Sequence, residues 1–228
     1  MARYSSVTTA VDMPELRRFR MRIEERVFPC IGAKAALAQG RLQVFPGGDL
    51  RDPRSDCMVV EQLQAFAATT SDDDVFISAV VLYEATPLLD ELEFERVLWA
   101  RLRAFHVIDA THHHWDPRVS ADPRSTQFSY SVGGRAFYVV GLHPQASRPM
   151  RRFPCAALVF NLHSQFETLR ADGRYERLRE TIAARDAACS GSVNPMLARH
   201  GVASEARQYS GREVAADWQC PFSSTAAG

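Results

Sequence analysis

Two β-rich segments, FSYSV and RAFYVVGL, lie on either side of Gly133 and Gly134. A two-residue glycine link between such segments predicts a β-hairpin, because the tight turn requires positive φ angles. Two apolar runs, VFISAVVLYE from Val75 and CAALVFNL from Cys155, predict further strands, the first of them in the sheet interior. The sequence therefore predicts antiparallel strand pairing as its dominant sheet arrangement.

Helical patterns separate these strands. One is predicted from Asp12, as N-cap, to Arg26, and the longest opens at Pro87. The residues that share one face of this long helix are Leu88, Leu92, Trp99, Leu102 and His106. A later helix is predicted to bury a stripe formed by Tyr175, Leu178 and Ile182. We predict a single α+β domain over residues 1–228, mainly an antiparallel sheet flanked by helices, with an α/β arrangement as the alternative.

Charge and cysteine content limit the classes of function. Lys plus Arg and Asp plus Glu both number 27, so no net charge attracts nucleic acid or an anionic membrane. The sequence predicts neither a signal peptide nor a membrane helix, and therefore a cytoplasmic protein. The five cysteines are scattered without the close spacing of zinc sites, which favours reduced, buried thiols.

A cluster of histidines occurs in the segment THHHWD, residues 111–116. Adjacent histidines usually point apart, so His112 and His114, with Asp116, are the natural candidates for a transition-metal site. A solvated loop is the alternative interpretation.

Two other histidines each follow a predicted interior strand. His143 comes directly after RAFYVVGL and His163 directly after CAALVFNL. If these strands are neighbours, both imidazoles could open at one sheet edge and serve as ligand or base. Hydrogen-bonded histidines in strand-end turns are the structural alternative.

Several charged residues are candidates for recognition. Arg148, Arg151 and Arg152 follow His143, and forked hydrogen bonds from arginine suit carboxylates or phosphates, although a solvated loop is also possible. The segment SEARQYSGR contains Glu205 and Tyr209 among other polar residues, and would suit either substrate recognition or a hydrogen-bonded loop. No phosphate loop, Rossmann fingerprint, GxSxG elbow or HExxH motif occurs in the sequence.

Several motifs together resemble the YqcI/YcgG family over about Phe28 to Phe222. These motifs are FPCIGAKAAL, FSYSVGGRAFYVVGLHPQASRPMRRFP, LVFNLHSQFETLR, RDAACSGSVNPML, SEARQYSGR and WQCPF. Characterised members are heme-dependent N-hydroxylases that act on the guanidine nitrogen of arginine or an arginine-derived cyclic guanidine. The resemblance implies a heme b (iron protoporphyrin IX) monooxygenase that uses dioxygen or peroxide, with electrons from an external reductase.

The resemblance also suggests where a heme would be held. His143 is the first candidate for the axial iron ligand and His163 the second, with Cys30 or Cys220 as thiolate alternatives. The residues that could bind the propionates are Arg148, Arg151 and Arg152.

Other residues are candidates for binding the substrate and oxygen. Glu205 or Glu167 could pair with a guanidinium through two parallel hydrogen bonds, and Tyr209 could donate a hydrogen bond to bound oxygen. Two other interpretations remain open: a noncatalytic heme carrier or gas sensor, and a nonheme metal enzyme centred on His112, His114 and Asp116.

Overall fold

The computed structural model describes residues 14–196 and 201–224, which build one five-stranded sheet with helices on both faces. The strands are β1 (Leu42–Pro46), β2 (Ser78–Tyr83), β3 (Tyr130–Val132), β4 (Arg135–Leu142) and β5 (Ala156–Leu162). The helices are α1 (Pro14–Glu24), α2 (Ile31–Ala38), α3 (Asp56–Thr69), α4 (Glu91–Asp109), α5 (His163–Ala171), α6 (Tyr175–Ser190) and α7 (Ala206–Tyr209). The N-cap predicted at Asp12 lies outside the described residues.

The sheet has the strand order β1-β2-β5-β4-β3. Strand β1 pairs with β2 in parallel, and each of the other neighbouring pairs is antiparallel. The predicted α+β class is therefore confirmed, and the strand beginning near Val75 is interior, since all six residues of β2 are buried.

The hairpin predicted at Gly133 and Gly134 is present. Val132 pairs with Arg135, and the two glycines between them have φ angles of +61° and +70°. Both values lie in the left-handed region that favours glycine, so the local sequence dictates this turn.

One face of the sheet packs against α3 and α4. Helix α4 contributes Phe94, Leu98, Leu102 and Phe105, all completely buried in the larger core cluster. This helix begins at Glu91 with Asp90 as its N-cap, so the predicted opening at Pro87 was wrong.

The predicted apolar face of α4 was wrong in its first half. Leu88 and Leu92 are 68% and 65% exposed, because Leu88 precedes the helix and Leu92 lies on the solvent side of its first turn. Trp99 and Leu102 are buried as predicted, and His106 is half-buried.

The other face of the sheet is covered in two parts. A second core cluster, which includes Phe19, Phe28, Val80 and Leu142, joins α1 and its neighbouring loops to one half of this face. Near the other half, α5 and α6 leave a cavity. The stripe predicted on α6, Tyr175, Leu178 and Ile182, is half-buried rather than buried, because it lines that cavity instead of packing on the sheet.

Across the described residues, we find no helix with the length and apolar character required to span a membrane.

Candidate functional site

The cavity lies between the sheet and helices α2, α5 and α6. Its volume is about 270 Å³, and it is partly open to solvent. The side chains that give it an apolar wall include Val140, Phe166, Leu169, Leu178 and Ile182. Concave sites with mostly apolar walls and a few polar groups are the usual form of ligand sites in proteins.

A row of polar side chains crosses the sheet on the cavity side. Ser78, Asn161 and Tyr138 are direct register partners on β2, β5 and β4, so they point to the same face. The Ser78 hydroxyl donates to Asn161 Oδ1 at 2.8 Å, and Asn161 Nδ2 donates to the Tyr138 carbonyl at 3.2 Å. The row therefore offers a fixed set of polar atoms in an otherwise apolar strand face.

The polar row continues into the segment around α7. The Tyr138 hydroxyl donates to Gln208 Oε1 at 2.8 Å, and Gln208 also lines the cavity. Sequence reasoning missed this row because its members come from three strands and a distant helix, and only the sheet register unites them.

Glu205 lines the cavity beside this row, at the start of α7. Burial raises the pKa of its carboxyl from 4.5 to about 7, although the Tyr209 hydroxyl, which donates to Oε1 at 2.7 Å, acts in the opposite direction. A carboxyl with this pKa can hold or release a proton near neutral pH.

Tyr209 contacts Glu205 from the protein core. Its ring is completely buried and stacks on Trp99 with centroids 5.5 Å apart, and its hydroxyl accepts from the Tyr130 N–H at 3.1 Å. Because Tyr209 is not among the residues that line the cavity, its position suits it to orient Glu205.

His163 is the first residue of α5 and lines the cavity. Its Nε2 lies 3.2 Å from Oε1 of Glu167, which also pairs with Arg170. Glu167 is itself about half exposed and does not line the cavity.

His143 lies elsewhere. Its ring is 2% exposed and stacks on Phe94 with centroids 4.2 Å apart, and burial lowers its pKa. The expectation that His143 and His163 open at one sheet edge was wrong. Strands β4 and β5 are neighbours but antiparallel, so their carboxyl ends lie at opposite edges of the sheet.

The three arginines that follow His143 bind internal partners and do not line the cavity. Arg148 pairs with Asp186 at 2.6 Å. Arg151 donates to the Gly141 carbonyl at 2.9 Å, and Arg152 donates to the Ala146 carbonyl at 2.6 Å. These contacts stabilise the loop that contains the three arginines and the carboxyl end of β4.

Two other arginines do line the cavity, Arg170 on α5 and Arg179 on α6. The Arg170 guanidinium lies over the Tyr175 ring, 5.0 Å from its centroid. One sequence signal could have found them: both arginines lie in predicted helical segments near the stripe of Tyr175, Leu178 and Ile182.

The two cysteines considered as thiolate ligands of a heme iron lie in different parts of the structure. Cys30 lines the cavity, caps α2 by accepting from the Ala33 N–H at 3.4 Å, and has a pKa raised by burial. Cys220 lies outside the cavity, and burial raises the pKa of its thiol to about 12.

The histidine-rich segment is a surface loop in which His112 and His114 are exposed. Asp116 is buried and accepts from the Ala136 N–H at 3.0 Å and from Arg118 Nη2 at 2.7 Å. Within residues 14–196 and 201–224, no three His, Cys, Asp or Glu side chains are grouped as metal ligands would be.

Comparison with known proteins identifies the family. No curated protein and no solved structure matches the chain significantly. The family model of YqcI/YcgG matches residues 19–223, which is most of the chain and includes every side chain of the cavity discussed above. The chain therefore belongs to the YqcI/YcgG family.

Proposed function

We propose that this protein is a cytoplasmic heme-dependent oxygenase that N-hydroxylates a guanidine or amine, such as arginine or a metabolite derived from it. The cavity is the observation that supports this proposal most. It combines an apolar wall, a histidine, two arginines and a carboxyl group on one concave surface.

The residues of the cavity fit a heme. His163 offers an imidazole nitrogen as the axial ligand, and the apolar side chains of α5 and α6 offer contacts for a flat macrocycle. Arg170 and Arg179, each of which pairs with a glutamate on its own helix, line the cavity and would supply the positive charge that propionates require. We favour His163 over His143 as the ligand because His143 is buried against Phe94 outside the cavity. A bound heme would supply the activation of dioxygen or peroxide, with a separate reductase as electron donor in the first case.

The substrate would be held by the polar side of the cavity. Glu205 can accept two hydrogen bonds from a guanidinium, and a cation beside it would favour the ionised carboxylate. Substrate binding is then expected to release the proton that Glu205 holds near neutral pH. Tyr209 keeps the carboxylate oriented while it does so.

Hemin titration tests the cofactor part of the proposal. The wild-type protein is expected to bind one hemin with a strong Soret band. His163→Ala should shift the band and weaken binding, whereas His143→Gln, measured at a temperature at which it is folded, should leave both unchanged. Loss of binding in His143→Gln alone would contradict the assignment of His163, and absence of a Soret band in the wild type would overturn the proposal.

Turnover tests the substrate part. With arginine and a reductant or peroxide, mass spectrometry should detect a product with one added oxygen on nitrogen. Glu205→Ala should abolish this product while it keeps the heme spectrum. Unchanged turnover in Glu205→Ala would remove Glu205 from the site, and absence of product with any guanidine or amine, despite bound heme, would favour a noncatalytic heme protein.

A further inference from the structure

The strained residue of the cavity wall is Phe76. Its φ angle is +55°, and among the described residues it alone adopts a positive φ without being glycine. A bulky side chain in the left-handed region costs free energy, and such residues persist only where their surroundings fix them.

Two side chains fix the backbone on either side of Phe76. Gln165 forms a pair of hydrogen bonds with Ile77: the Ile77 N–H donates to Oε1 at 3.3 Å, and Nε2 donates to the Ile77 carbonyl at 3.1 Å. On the other side, the Arg41 guanidinium donates to the Val75 carbonyl at 3.1 Å. These contacts hold the chain in the left-handed conformation immediately before β2.

The strained backbone keeps the aromatic ring in the cavity wall. Phe76 is half-buried, whereas most phenylalanines of the sheet and of α4 are completely buried in the core. Its ring lies beside the first turn of α2, where a Cβ on Gly32 would be 3.6 Å from Cδ1 of Phe76 and 3.9 Å from Sγ of Cys30. Packing in the core thus does not account for the position of this ring.

We infer that Phe76 is a specificity-determining residue of the cavity, an aromatic platform that stacks on a flat, conjugated ligand. Stacking needs a ring face held at a fixed orientation, and the clamped, strained backbone provides it. The pair of hydrogen bonds between Gln165 and Ile77 also connects the segment of Phe76 to α5, the helix that begins with His163. The inference deepens the proposed function and rests on it for the identity of the ligand, heme.

The test compares Phe76→Gly with Asp73→Gly, a control at an exposed position of the same segment before β2 that does not line the cavity. Glycine at position 76 relieves the strain and removes the ring, so hemin binding should weaken about tenfold while the melting temperature stays equal to that of the wild type or rises. Asp73→Gly adds chain flexibility outside the cavity and away from the contacts that hold Phe76, so it should leave hemin affinity unchanged. Phe76→Tyr, which keeps the ring, should retain wild-type affinity.

Three results would overturn the inference: unchanged hemin affinity in Phe76→Gly, an equal loss of affinity in Asp73→Gly, or a lower melting temperature in Phe76→Gly. If the wild type binds no hemin, the proposed function fails. The platform is then tested with 1-anilinonaphthalene-8-sulfonate, a flat aromatic anion. Its fluorescence should increase with the wild type and not with Phe76→Gly, and equal fluorescence with both proteins would overturn the platform as well.

Discussion

Replacement of Glu205 by glutamine should make the protein more stable at neutral and higher pH. Burial raises the pKa of the Glu205 carboxyl from 4.5 to about 7. Glutamine has nearly the same shape and its Oε1 can still accept the hydrogen bond from the Tyr209 hydroxyl. The substitution therefore removes the ionisation and leaves the main contact in place.

The size of the effect follows from proton linkage. Between the unfolded pKa of 4.5 and the folded pKa of about 7, the folded protein keeps a proton that the unfolded chain has lost. Stability from this group is complete below the lower value and is lost as the pH rises through the higher one, by about 3 kcal/mol in total. Glu205→Gln does not lose this stability, so its free energy of unfolding should match that of the wild type at about pH 4 and exceed it by about 3 kcal/mol at about pH 8.

Urea unfolding of both proteins across this pH range measures the difference. Glu61→Gln, a change at an exposed position of α3, is the matched control and should follow the wild type throughout. A difference between Glu205→Gln and the wild type that stays constant with pH would refute the reasoning, since it would mean that Glu205 ionises in the folded protein as it does in the unfolded chain.

Three further substitutions test individual contacts by urea unfolding. Tyr209→Phe removes the hydroxyl that donates to Glu205, so it should raise the pKa of Glu205 further and lower stability by about 1–3 kcal/mol. Arg101→Met leaves the buried carboxylate of Asp56 without its partner at 2.5 Å, which should cost about 3–5 kcal/mol, with the larger loss at higher pH because burial already raises the pKa of Asp56. Gly133→Ala places a Cβ in a residue with φ of +61° and 2.8 Å from a side chain of α3, which should cost about 1–3 kcal/mol. An unfolding midpoint equal to that of the wild type would contradict the contact assigned to that residue.

The elements that the sequence predicted well have local causes. The Gly133-Gly134 turn follows from backbone freedom at two adjacent residues, and the interior strand from Val75 follows from its own apolar run. The hydrogen bond between Glu205 and Tyr209 also joins residues only four apart, but the two side chains were expected to bind separate ligands, and the bond was not predicted.

The rest of the site depends on relations between distant segments. The expectation that His143 and His163 share one sheet edge failed because β4 and β5 are antiparallel neighbours, an arrangement that places residues following the two strands at opposite edges. The polar row of Ser78, Asn161 and Tyr138 depends on the register of three strands, which no local pattern contains.

The roles of the arginines also depend on contacts between distant segments of the chain. Arg148 looked available for an anion in the sequence, but its partner Asp186 lies 38 residues away on α6. Arg170 looked like one of many helix-surface arginines, and only the packing of α5 near the sheet places it at the cavity. Partners of long charged side chains are fixed by tertiary structure, so their roles could not be read from spacing.

The absorption spectrum of the protein, purified after expression with a heme precursor, tests the central proposal most directly. We expect a strong Soret band that shifts on reduction with dithionite and again with carbon monoxide, in the positions typical of histidine ligation. A protein with no Soret band, and none after titration with hemin, would not be a heme protein, and the proposed function would be wrong.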